Sequence, residues 1–98
     1  MEKRTPHYAL IRVKELLKAG KVRPLDSAVA GAATLGLSPM EMIAVVGMLT
    51  SKDFYKSMTT HADHRIWQDV YRPATDAGKV YLKLTVIDDV MIVSFKAL

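Results

Sequence analysis

Ninety-eight residues, half of them hydrophobic, suffice for one folded domain with a real core and exclude a disordered chain. The absence of cysteine rules out a disulfide framework and any thiolate metal site, and fits a reducing cytosol. The formal charge of +4 and pI near 9.5 are a mild basic bias compatible with a nucleic-acid partner, and no stretch approaches the roughly 20 apolar residues that span a bilayer.

The charge is unevenly placed. Residues 1–23 hold seven Lys/Arg, residues 24–51 hold none, and the other seven lie from Lys52 onward among six aspartates. The middle of the chain therefore reads as packing material, and an anion-handling surface is expected from the two ends. The polar opening "MEKRTPHY" lacks the apolar run of a secretory signal, so a cytoplasmic protein is expected.

In chain order, "TPHYALIRVKELLKAG" predicts a helix capped by Thr5, with Pro6 in its first turn and Gly20 at its end. Leu10, Val13 and Leu17 recur at helical spacing, with Lys14 and Lys18 facing water. A short strand is possible around Lys21–Arg23. "LDSAVAGAATLGL" predicts a second helix from an Asp26 cap to a Gly36 stop, its small residues suited to close backbone packing. "SPMEMIAVVGMLT" carries a capping box, Ser38 with Glu41, ahead of a third helix.

From Asp53 the period changes to two. "DFYKSMTT", "RIWQDVYR", "KVYLKLTV" and "VMIVSF" read as strands. The expectation is a single α+β domain over residues 1–98, with N-terminal helices packed on an antiparallel sheet of about four strands. If Asp88 and Asp89 form a two-residue turn, Val86 faces Met91, Leu84 faces Val93 and Leu82 faces Phe95 on one apolar side. Thr85 then faces Ile92, Lys83 faces Ser94 and Tyr81 faces Lys96 on the other. The face carrying Tyr81, Lys83, Ser94 and Lys96 should be open and basic. For "DFYKSMTT" and "RIWQDVYR" the pattern does not say which face is buried.

The segment "HADHRIWQDVYRP" looks chemically rich, but its spacing is poor for known chemistries. His61 and His64 lack the HExxH pattern and a third spaced ligand, so no metal site is expected. Nothing sets two imidazoles across a phosphate for acid–base cleavage. GxSxG, Walker A and GxGxxG motifs are absent. Trp67 and Tyr71 alternate with Gln68 and are expected in the core. There remains a sheet face with lysines, a tyrosine and, with the neighbouring strand, a glutamine and an arginine. Such a face can neutralise a phosphodiester and stabilise its pentacovalent transition state. A lysine crowded by other cations would have a lowered pKa and could transfer protons nearer neutrality. An ordinary solvated sheet face fits the same pattern equally well.

"DFYKSMTTHADHRIWQDVYRP" followed by "GKVYLKLTVIDDVMIVSFK" closely resembles the MqsR family of motility quorum-sensing regulator toxins, as do "MEKRTPH", "VKELLKAGKVR" and "LGL" earlier in the chain. The resemblance implies a fold like the RelE toxins. It implies a metal-independent endoribonuclease, needing no cofactor, that cuts messenger RNA near GCU. It implies a cognate antitoxin, a zinc-containing DNA-binding protein like MqsA, through which operator DNA is reached. The residues matching the family's proposed active site are Lys56, Gln68 and Tyr81. The 2′-hydroxyl would attack the adjacent phosphate, with Lys56 and Tyr81 sharing proton transfer and oxyanion stabilisation and Gln68 positioning the RNA. Arg72, Lys83 and Lys96 would bind phosphate, Lys96 because the hairpin register sets it beside Tyr81. A non-catalytic RNA- or DNA-binding regulator, or a module that pairs its strand edge with a partner, would use the same features without turnover.

Overall fold

A computed structural model describes residues 1–98. The elements are β1 (Glu2–Lys3), α1 (Leu10–Lys18), β2 (Val22–Pro24), α2 (Asp26–Thr34), α3 (Pro39–Gly47), a 3₁₀ turn (Ser51–Asp53), β3 (Phe54–Thr59), β4 (Trp67–Tyr71), β5 (Ala74–Thr75), β6 (Gly78–Ile87) and β7 (Asp89–Ala97). Six strands run in the order β1-β3-β4-β6-β7-β2, and β5 pairs off this path with β6. The α+β expectation holds. The sheet has seven strands instead of about four, and it is mixed, because β2 runs parallel to β7. No single helix is long and apolar enough to cross a membrane.

The first helix begins later than its capping signals suggest. Thr5 and Pro6 do not start it; α1 opens at Leu10 behind Ala9, which makes no side-chain cap. The backbone N–H groups of His7 and Tyr8 instead donate to the Asp69 carboxylate at 3.0 and 2.9 Å. A buried carboxylate on β4 thus outcompetes the local cap. The α3 capping box forms as expected: the Glu41 N–H donates to Ser38 Oγ at 3.1 Å, and the Ser38 N–H donates to Glu41 Oε1 at 2.9 Å. Asp26 is the first residue of α2 and not its cap, which is Leu25.

Close packing of α2 on β7 explains its small residues. Ala28 and Ala32 are fully buried. A Cβ added to Gly31 would lie 1.8 Å from the carbonyl oxygen of Phe95. Val13 and Leu16 of α1, Met42 and Val46 of α3, and Leu49 meet Leu82, Leu84, Val90, Ile92 and Phe95 to form the core. These buried helix residues cover one face of the sheet.

The β6–β7 hairpin departs from a two-residue turn near its tip. Asp88 alone forms the tip, with φ 65°, and Ile87 faces Asp89. Asp tolerates this left-handed conformation better than most residues. The register is therefore moved by one: Val86 faces Val90, Thr85 faces Met91 and Leu84 faces Ile92. A bulge between Lys83 and Leu84 restores the expected pairs, Lys83 with Ser94, Leu82 with Phe95 and Tyr81 with Lys96. Val90 and Ile92 enter the core in place of Met91 and Val93. The Val93 carbonyl beside the bulge accepts the Ser27 hydroxyl of α2 at 2.9 Å.

Candidate active site

The register decides which residues share the uncovered face. Lys56 on β3 faces Val70 on β4, Val70 faces Lys83 on β6, and Lys83 faces Ser94 on β7. These four make one row across the sheet. The next row along β6 and β7 holds Tyr81 opposite Lys96. On the other side of the central row, Gln68 faces Met58, and Met58 faces Glu2 on β1. Rows on one face repeat every two residues, about 6.6 Å apart at a strand rise of about 3.3 Å. Lys56, Gln68, Tyr81, Lys83 and Lys96 are thus gathered from four strands onto one face. Val70 lies among them fully buried, and a long lysine on either side accounts for its cover.

Tyr81 sits between two ammonium groups. Lys96 Nζ is 5.4 Å from the centroid of its ring and Lys83 Nζ is 6.0 Å away. Burial lowers the pKa of Lys83, and the charges of Lys96 and Lys56 push it the same way. The cation-crowding effect expected on this face therefore falls on Lys83. Lys56 behaves oppositely: its hydrogen bond to Glu2 raises its pKa against the opposing effect of burial. Its ammonium is bonded to Glu2 Oε1, whose carboxyl is held below the usual range by that same bond.

Arg72 follows β4 and is fixed by its backbone, whose N–H donates to the Asp53 carbonyl at 2.7 Å. Its guanidinium stacks 3.8 Å from the centroid of the Tyr55 ring. Tyr55 occupies the irregularity between Phe54 and Lys56, where the β3–β4 register shifts. Arg4 and Lys56 approach the same ring at 5.4 and 5.5 Å. Tyr55, Arg4 and Glu2 were not singled out by sequence. Their partners lie far away in the chain, and a bulge erases the period-2 signal that would assign Tyr55 a face.

The remaining residues of "HADHRIWQDVYRP" divide sharply. His61 and His64 are exposed on the 60–66 loop. Tyr71 is in the core, where burial pushes its hydroxyl up to about 12. Trp67 is not a core residue. It is half-buried at the sheet margin, stacked on His7 with ring centroids 5.2 Å apart and with Lys3 Nζ 4.2 Å from its own centroid.

Fold and face together define a small α+β protein, clad in helices on one side of its sheet and cationic on the other. Residues 5–97 match the family described as motility quorum-sensing regulator, toxin of MqsA, and the chain belongs to that family. It is 59% identical over 96 residues, 98% of each chain, to a protein of Escherichia coli (strain K12) named mRNA interferase toxin MqsR. The family resemblance read from the strand motifs is borne out over nearly the whole chain.

Proposed function

We propose that this chain is the toxin of a toxin–antitoxin pair, a metal-independent endoribonuclease that cuts messenger RNA at or near GCU on its open sheet face. The observation that carries this reading is the convergence of Lys56, Gln68, Tyr81, Lys83 and Lys96 from four strands onto one uncovered face. It occurs in a chain 59% identical to a protein named as an mRNA interferase. The whole chain acts as one catalytic domain in the cytoplasm. Its partner is an antitoxin like MqsA, a zinc-containing DNA-binding protein that silences the toxin and brings it to operator DNA.

The chemistry follows from the groups present. The 2′-oxygen attacks phosphorus as its proton is removed, and the 5′-oxygen departs with a proton. The products are a 5′-hydroxyl and a 2′,3′-cyclic phosphate, or the 3′-phosphate formed from it by water. Lys83, Lys96 and Arg72 hold the phosphates, and cations around the pentacovalent centre lower the barrier. Lys56 and Tyr81 share proton transfer and oxyanion stabilisation, and Gln68 orients the ribose or the phosphate.

A short synthetic RNA with 2′-deoxyribose at the cleaved position tests this mechanism. The all-ribose strand is cut and the substituted strand is bound but stays intact. Cutting of the deoxy strand would remove the 2′-hydroxyl from the reaction.

A further inference from the structure

We propose that Glu2 is a positioning residue of the cleavage site, holding Lys56 so that it serves as the proton donor to the departing 5′-oxygen. This rests on the reading of Lys56 given above.

The geometry is direct. Glu2 faces Met58, so on the same side of the sheet Lys56 is its diagonal neighbour. Their side chains form an ion pair across β1 and β3. The two-residue strand that carries Glu2 is held on both sides. Before it, the Thr59 N–H donates to the Met1 carbonyl at 2.9 Å. Within it, Lys3 faces Ser57, whose hydroxyl donates to the buried Asp69 at 2.7 Å, and beyond it the same carboxylate fixes His7 and Tyr8. A surface ion pair between free side chains is worth little. This one is held by the backbone of both partners and sits in the candidate site.

The groups around Lys56 leave Glu2 a distinct part. From the N-terminal segment come Glu2, with Arg4 and the Met1 amino group behind it. From β3 comes Tyr55, from β6 Tyr81 and Lys83, and beyond them lie Lys96 and Arg72. Among these, Glu2 is the one carboxylate. The lysines of one row are thereby driven apart: Lys56 is raised by Glu2, and Lys83 is lowered by burial and by its lysine neighbours.

A lysine kept as ammonium cannot accept the 2′-proton. It can give a proton to the 5′-oxygen. The phosphorus–O5′ bond breaks with its electron pair on oxygen, the oxygen takes a proton from Nζ, and the N–H pair stays on nitrogen. Solvent then reprotonates the amine. The proton of the 2′-hydroxyl passes instead to Tyr81, the other proton-transfer group of the proposed site.

The test compares wild type, Glu2→Gln, Glu2→Asp and Lys56→Ala, using single-turnover RNA cleavage against pH and NMR titration of the lysine side chains. In Glu2→Gln the Lys56 titration and the alkaline limb of the rate profile both move to lower pH. The rate constant at neutral pH falls by roughly tenfold with KM little changed, as expected for lost positioning of a reacting group. Glu2→Asp recovers part of both. An unchanged Lys56 titration in Glu2→Gln would overturn the inference. So would a lower KM with full kcat, which would make Glu2 merely a competitor of phosphate. Full activity in Lys56→Ala would end this inference and the underlying site reading together. An inactive Lys56→Ala with an unaltered Glu2→Gln profile would end this inference alone.

Discussion

Asp69 and Tyr8 lie 61 residues apart in sequence, and the Asp69 carboxylate accepts the Tyr8 backbone N–H at 2.9 Å. Asp69 is fully buried. Its other bonds, from the His7 N–H at 3.0 Å and the Ser57 hydroxyl at 2.7 Å, make it the knot between the N-terminal segment and the sheet. The Tyr8 hydroxyl adds a second tie, donating to the Trp67 carbonyl at 3.0 Å beside Thr85. Asp69→Ala removes the carboxylate that accepts from three donors and should cost about 3 kcal/mol, measured as a lower urea midpoint.

Gly31 provides a sharper packing test. With the Phe95 carbonyl oxygen 1.8 Å from any added Cβ, helix α2 must lift off β7 in Gly31→Ala. The expected loss is about 3 kcal/mol, read as a fall in Tm of roughly 12–24 °C for a domain of this size. Gly47→Ala is the matched control. Its Cβ would meet nothing within 4 Å, so this change is neutral or stabilises by up to ~1 kcal/mol. A Gly31→Ala variant as stable as wild type would contradict the close approach of α2 and β7.

Much of this architecture is legible in the sequence, and each failure has its own physical cause. The α3 capping box and the Tyr81–Lys96 pairing depend on neighbours or on strict alternation, and both were readable. The start of α1 was misread because Asp69, far along the chain, takes the N–H groups that a helix would have used. The tip of the hairpin was misread because a one-residue turn and a one-residue bulge cancel, leaving the outer pairs correct and the inner ones shifted. Period-2 patterning also could not show which face of β3 and β4 is open. That depends on Val70 being walled in by Lys56 and Lys83 from two other strands. The roles of Lys56, Gln68 and Tyr81 came from family likeness. Periodicity supplied only Tyr81, Lys83 and Lys96 on a common face.

Tyr71 should resist alkaline titration in the folded protein. Its hydroxyl is pushed up to about 12 by burial, so it stays protonated when an unfolded tyrosine would ionise near 10. The folded form then binds more protons than the unfolded one above pH ~10, and the stability Tyr71 contributes is lost as pH rises from about 10 to about 12. Ultraviolet titration should find a tyrosine that ionises well above pH 10, together with unfolding. Its ionisation at the ordinary pH in folded protein would contradict the core placement.

Lys83 and Lys96 predict how binding responds to salt and pH. Replacing Lys96 by Ala should reduce the slope of log affinity against log salt by roughly 0.7 for a single strand, with little effect on stability. Lys83 loses its charge at a lower pH than an ordinary lysine, because burial and its lysine neighbours disfavour the charged form. Affinity for an uncleavable 2′-deoxy oligonucleotide should therefore begin to fall at a lower pH in wild type than in Lys83→Arg. Coincident pH curves would remove Lys83 from the binding surface.

Metal-independent cleavage of RNA on this face is the property to test first. The most direct measurement is cleavage of a long messenger RNA by purified protein in EDTA, with the new ends mapped and with Tyr81→Phe beside wild type. Discrete cuts near GCU with 5′-hydroxyl ends are the expected result, slowed by at least ~10²-fold in the variant, which loses a group that transfers a proton. Absence of cuts by wild type, or equal cutting by Tyr81→Phe, would contradict it.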